Sequence, residues 1–291
     1  MKNLRQHPIE HVRGVIPGIR PFPDVADVFA EPVDKHARHF LPLVTIDLAL
    51  LDESWNGPIH LIAPCEPYDG RVGEWGGEEF GNALLQPDWL AFKLSDQGKY
   101  QLLGDWRYFM LENDRADWAE KQHDWKSVRE LHRELVKLGV TPPFALDREA
   151  QYSWRDSMEL HYAVQHAVYN QARQDFLAHG WNPAKPWDDA AEVARLPLYE
   201  PWTEGYDSTS GRYLLGQLGG LSWGGNWSNG TEPLLSATGT EDGIHPIHPE
   251  TGAHFEFIAS TYADGFTGHD CEILLFYEPQ SRVVLQTFDW S

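Results

Sequence analysis

The chain has 291 residues, 42% of them hydrophobic and 23% charged, with 13 Trp, 13 Phe and 11 Tyr; this excludes a disordered or fibrous protein, and a single domain of this size buries about three quarters of its unfolded surface. The 44 acidic against 23 basic side chains give a formal net charge of -21, which repels phosphate backbones and anionic lipid, so nucleic acid and membrane are not expected partners and a basic protein is. Residues 1–14 carry no apolar signal core, no run of about 18 apolar residues occurs, and the two cysteines, Cys65 and Cys271, form no CxxC pair; a reducing, cytoplasmic setting is expected, with each cysteine a small buried residue beside a strand.

Residues 1–38 include PGIRPFPDVADVFAEP, whose four prolines forbid a continuous helix or a central strand, so this stretch is read as an arm laid over the surface. From Phe40 to Leu51 the apolar residues suit a strand ending in a helical turn, and Gly57-Pro58 reopens a second strand from Ile59 to Ala63. Residues 65–88, with five glycines and several acidic groups, have no sustained period and read as a loop. Trp89 to Phe92 and Tyr100 to Leu103 flank the Asp96-Gln97-Gly98 turn as a hairpin.

At about Arg115 the period changes. Trp118, Trp125, Val128, Leu131, Leu135 and Leu138 fall on one helical face that ends at Gly139, and Pro142-Pro143 prevent continuation. A second helix is predicted from Ser153 to His179, closed by Gly180, and a third from Asp188 to Leu196. The first two should pair as a helical hairpin. From Pro197 onward glycine, proline and aromatics return, and His254 to Pro279 ends in a continuous apolar run, Ile273 to Tyr277, of the kind covered on both faces. The expected fold is α+β, a single domain with a strand-rich portion at 39–110, a helical insertion at 115–196 and a second strand-rich portion at 197–290.

The segments His39–Pro64 and His254–Pro279 share a layout: a His-Phe entry, an apolar strand, a polar middle and a second apolar run. Aligned without gaps, Leu43 faces Ile258, Thr45 faces Ser260, Ile59 faces Leu274 and Leu61 faces Phe276, which raises the prospect of a duplicated β unit beside that of two unrelated hairpins. On LPLVTIDLALLDESWNGPIHLIAP and FEFIASTYADGFTGHDCEILLFYEP, with LGGLSW before the second, the chain resembles the YwqG-like (DUF1963) family of bacterial proteins. It departs from the family pattern where a Gln usually ends the first strand, since Thr45 and Ser260 stand there, and the helical segment has no counterpart. The resemblance implies two related halves and, for some members, a role as an immunity protein beside a secreted toxin; it carries no catalytic residues.

Among chemical candidates, His245, His248 and His254, with Glu250 nearby, offer zinc-type ligands, although HxxH outside a helix lacks a shared face and a polar surface loop is the plainer reading. Gly220-Leu221-Ser222-Trp223-Gly224 matches the bare GxSxG pattern without its strand-to-helix context, so Ser222 reads as a turn serine. No phosphate-binding glycine loop occurs, and no cofactor is expected. Trp75, Trp223, Asn226 and Trp227, set among glycines, could present rings and amides to a peptide or sugar; packing of Trp on glycine is the structural alternative. The function expected is a non-enzymatic binding protein, of immunity type, that meets a basic partner through Glu74, Glu78 and Glu79 and the Trp-Gly loops. The other readings are a carbohydrate-binding module and a hydrolase or metalloenzyme using the His245–His254 region.

Overall fold

A computed structural model describes residues 3–66, 72, 77–113, 125–202, 211–229, 235 and 243–290. The fold is α+β. Eleven strands are described: β1 Ile9–Val12, β2 Ile19–Pro21, β3 Phe40–Asp47, β4 Pro58–Pro64, β5 Trp89–Leu94, β6 Tyr100–Leu102, β7 Glu200–Pro201, β8 Leu215–Leu218, β9 Glu256–Tyr262, β10 Glu272–Glu278 and β11 Val283–Asp289. Eight form an antiparallel sheet in the order β6-β5-β11-β10-β9-β8-β1-β7, and three form a smaller sheet, β2-β3-β4. The helices are α1 Val25–Val28, α2 Val33–His39, α3 Trp125–Lys137, α4 Trp154–His179, α5 Ala190–Val193 and α6 Asp264–Thr267.

The continuous apolar run of β10 has a direct cause. Ile273, Leu275 and Tyr277 enter the main core together with residues of the small sheet, while Leu274 and Phe276 enter a second core on the other face of the large sheet. Both faces are covered, so alternation in the sequence disappears. The two sheets are joined through the main core by Gln286 of β11, whose side-chain carbonyl accepts from Ile62 N at 2.9 Å and whose amide donates to Ile62 O at 3.3 Å. Gln286 is fully buried, so its amide must be satisfied internally.

Helices α3 and α4 form the expected hairpin around a third cluster that includes Val128, Leu135, Leu160, Val164 and Ala167. Ser153 and Asp156 build a capping box at the start of α4, and Gly180, at φ +79°, ends it. The predicted helix over Asp188–Leu196 shortens to the single turn α5, capped by Asp189. Trp118 and its neighbours lie outside the described residues.

Residues 1–38 differ from their expected place on the surface. Strand β1 lies inside the large sheet between β8 and β7, and Val12, Ile16, Val28 and Phe29 are buried. The prolines avoid this central position: Pro8 precedes β1, Pro21 ends the edge strand β2, and Pro32 precedes α2. The two strand-rich portions share the large sheet, because β5 and β6 join it through β11.

The two units share a backbone pattern, each in its own sheet. In β2-β3-β4, Arg20 pairs with Thr45 and Pro21 with Val44; in β8-β9-β10, Gln217 pairs with Ser260 and Leu218 with Ala259. Each central strand carries a bulge, at Leu43 and at Ile258, the same position in the ungapped alignment. Both bulged residues present their carbonyl to the residue that follows the first strand, Phe22 N at 2.7 Å and Gly219 N at 2.8 Å. Those two residues also share a positive φ, 49° and 75°. Three coincident irregularities in each unit are far more specific than a shared strand pattern. The third strands require a correction: Thr261 pairs with Ile273 where Ile46 pairs with Ile59, so Ile59 corresponds to Ile273 and Leu61 to Leu275. The second connection is one residue shorter, a shift an ungapped alignment hides.

Candidate functional site

The Trp-Gly loop divides its residues between core and surface. Trp227 is 4% exposed and is packed in the second core, with ring contacts to Trp89 at 5.9 Å and Phe276 at 5.5 Å. It is therefore a core residue and not a recognition platform, because one side of the large sheet needs a lid of large apolar area. Asn226 is engaged internally: its backbone N–H donates to Asp289 Oδ1 at 2.6 Å and its side-chain amide to the Trp290 carbonyl. Gly225 permits this closure, since a Cβ there would lie 2.7 Å from both Asp289 Cγ and Oδ1. Trp223 alone among these keeps an open ring, at 45% exposure. Glu79 is exposed; Glu74 and Trp75 lie outside the described residues, as does the side chain of Glu78.

The histidine segment is not an extended polar loop. His245 and His248 are buried, Ile247 bridges to His254, and the His248 ring stacks on Phe255 at 5.8 Å. His245 Nδ1 lies 2.9 Å from the Phe255 carbonyl, to which it donates, and His248 Nδ1 accepts from Glu250 N at 3.3 Å. His254 is exposed beside them. Among the described residues no group of three or more His, Cys, Asp or Glu is arranged to hold a metal ion. The zinc reading is corrected on that observation: Nδ1 of His245 and of His248 serves the backbone of a small turn over the second core, and with His254 they form no ligand group. Ser222 is buried, and its hydroxyl donates to the Ile244 carbonyl, a structural bond that leaves no nucleophile with a base beside it.

Comparison of the chain with protein-family models, with curated proteins and with solved structures finds no match.

Sequence patterns did not single out the polar network beneath α4. Burial disfavours protonation of His39, so the neutral ring accepts from Tyr162 OH at Nδ1, 2.9 Å, and donates from Nε2 to Glu112 at 3.1 Å. The His39 hydrogen bond, joined by Lys35 and its charge, holds the Glu112 carboxyl at about 2. Tyr169 OH donates to the Pro42 carbonyl at 2.5 Å, and His166 Nε2 lies 3.0 Å from Arg38 O and 3.4 Å from Cys65 Sγ. Burial, with Glu66 next to it, pushes the Cys65 thiol well up, which makes it an inert packed residue and not a nucleophile. These bonds fasten the helical hairpin to the small sheet. Periodicity could not have revealed them, because His39, Tyr162 and Glu112 are far apart in sequence.

The surface has a different character along the segment that follows α4. Leu177, in the last turn of α4, and Trp187, Leu198 and Tyr199 beyond it are exposed, Trp187 at 76%, and Asp189 and Glu192 are exposed between them. A cleft of about 500 Å³ opens beside this segment, where the end of α4 faces Trp181, Arg212 and Asp264. No described helix is long and apolar enough to cross a membrane.

Proposed function

We propose that this chain is a non-enzymatic binding protein that engages a basic protein partner in the cytoplasm, in the manner of an immunity protein neutralising a toxin. The observation that carries the reading is the exposed segment from Leu177 to Tyr199. It displays a Trp at 76% exposure, with Lys185 Nζ 5.7 Å from its ring, beside the exposed Asp189, Glu192 and Arg195, in a chain of net charge -21. Large aromatic anchors ringed by polar groups are the residues that dominate interface energies, and excess charge of one sign steers an oppositely charged partner and rejects like-charged ones. The resemblance to the YwqG-like family supports the immunity version. Ser222 favours this over a hydrolase, since its hydroxyl is engaged in an internal bond.

The test uses the purified products of the neighbouring reading frames and titration calorimetry at low and high salt. Binding to a basic product should weaken as salt rises, and Trp187→Ala should weaken it by at least about tenfold, as loss of a central aromatic anchor does. Reversing Glu74, Glu78 and Glu79 to Lys locates the second contact. Binding that ignores both salt and Trp187, or no binding to any basic product, overturns the reading.

A further inference from the structure

At the C-terminal end of α4 a cleft brings open hydrogen-bonding groups and aromatic surface together; it shares Trp181 and Asn182 with the segment named above but not its exposed anchor Trp187. One wall is α4 itself. Gln171, Asp175 and His179, four residues apart, form a polar ridge, and Val168, Ala172 and Phe176 form the apolar ridge beside it. The opposite wall is Trp181, Arg212 and the start of α6. Trp181 is held by Phe266, ring centroids 5.0 Å apart, and by the missing side chain of Gly265, where a Cβ would lie 2.6 Å from the indole ring and 3.0 Å from Arg212.

The hydrogen-bonding state of these groups selects a ligand class. Gln171 donates its amide to Asp175 Oδ1 at 3.1 Å, which leaves the Gln171 carbonyl and the second Asp175 oxygen as acceptors. Asn182 uses its carbonyl to accept from Ala184 N at 3.0 Å, leaving its amide as a donor. Arg212 Nε lies 3.4 Å from Asp264 Oδ2, and the rest of the guanidinium points no bond at a described residue. The indole N–H of Trp181 is shielded and without a partner, an incomplete arrangement for a donor. An anion would meet Asp175, Asp264 and the negative end of a 26-residue helix. A cation would have to compete with Arg212 for Asp264. A hydroxyl both donates and accepts, so a neutral polyol satisfies both sets, and the C–H face of a pyranose ring fits aromatic walls. The volume, about 500 Å³, is that of a small-ligand site.

We propose that this cleft binds a neutral saccharide of one or two rings, with its hydroxyls held by Gln171, Asp175, Asn182 and Arg212 and its ring against Phe176 and Trp181. The experiment is saturation-transfer NMR on the full chain with glucose, galactose, mannose, N-acetylglucosamine, maltose, cellobiose and lactose as probes, and with spermidine as a cationic control. At least one saccharide should receive saturation, and its binding should shift the indole N–H resonance assigned to Trp181 through the Trp181→Phe variant. Asp175→Ala and Asn182→Ala, both at exposed positions, should keep the melting temperature and weaken the saccharide by about tenfold each. Three outcomes overturn the proposal: no saccharide binds; binding survives both alanine variants; or spermidine binds more tightly than every saccharide and is displaced by salt. None of them bears on the salt-dependent protein contact, so the two readings fail separately.

Discussion

Acid should loosen this fold through His60, and the size of the effect follows from where the ring sits. His60 is fully buried in β4, with Nδ1 2.9 Å from Thr45 Oγ1 and Nε2 2.7 Å from the Gly98 carbonyl. Burial, outweighing the Gly98 carbonyl, holds the imidazole at about 4 against an ordinary 6.5. The unfolded chain therefore takes up a proton near pH 6.5, which the folded chain refuses until about pH 4. Between those values the unfolded state binds more protons, so stability falls as pH falls: about 1.4 kcal/mol lost at about pH 5.5 and about 3 kcal/mol at about pH 4. His161, also held at about 4 by burial and by His269, acts in the same direction. Glu112, at about 2, adds a further loss only as pH falls below the ordinary carboxylate range. Urea unfolding at about pH 7.5, 5.5 and 4 measures the slope. His60→Gln can still donate to Gly98 and accept from Thr45, so it should be less stable at neutral pH yet show about 3 kcal/mol less acid sensitivity over this range. Parallel pH profiles for the two proteins would refute the reasoning.

Trp227→Ala should destabilise the chain by about 3–5 kcal/mol in chemical unfolding, as an aromatic removed from a packed core does, and should leave partner binding intact after correction for the folded fraction. Gln286→Leu leaves both backbone groups of Ile62 without their inter-sheet partner and should cost about 1–3 kcal/mol for each buried group left unpaired, read as a lower urea midpoint at unchanged slope. Gly219→Ala should be much worse than Gly57→Ala. Both glycines have positive φ, but a Cβ at 219 would run into the Leu4 carbonyl whereas Gly57 faces open space, so only the strain of about 1 kcal/mol is common to the two. Thermal melts of the pair check this. Protein purified with zinc in the medium should carry less than stoichiometric metal by elemental analysis, because His245, His248 and His254 are not arranged as a ligand group.

The elements that depend on local pattern were legible in the sequence. The apolar residues of β3 and β4, the Gly98 turn of the β5–β6 hairpin and the Ser153 and Gly180 boundaries of α4 all follow from period, turn chemistry and capping. What escaped depends on partners distant in sequence. Nothing local shows that Ile9–Val12 lies inside the large sheet, since four residues among prolines and charges carry almost no period, and the position is set by β7 and β8. Trp227 is ambiguous for a similar reason: Trp beside Gly and Asn looks the same whether the ring covers a sheet or faces solvent, and only the empty face above Trp89 and Phe276 decides. The pattern shared by the two units was half legible. Leu43 and Ile258 line up in an ungapped comparison, but the one-residue shorter connection in the second unit displaces the third strands, and the shared hydrogen bond to each bulge has no sequence signature. The cleft was missed altogether, because Gln171, Trp181, Arg212 and Asp264 share no spacing motif.

The position of β1 sets an order of assembly. Strands β2, β3 and β4 lie within residues 19–64, and their unit can close as soon as that stretch has left the ribosome. Ile9 pairs with Leu218, so β1 waits through the synthesis of about 200 further residues for its neighbour, roughly ten to forty seconds at ordinary elongation rates. Mutations that slow closure of the large sheet should prolong exposure of β1 and lower soluble yield without changing the stability of the finished protein.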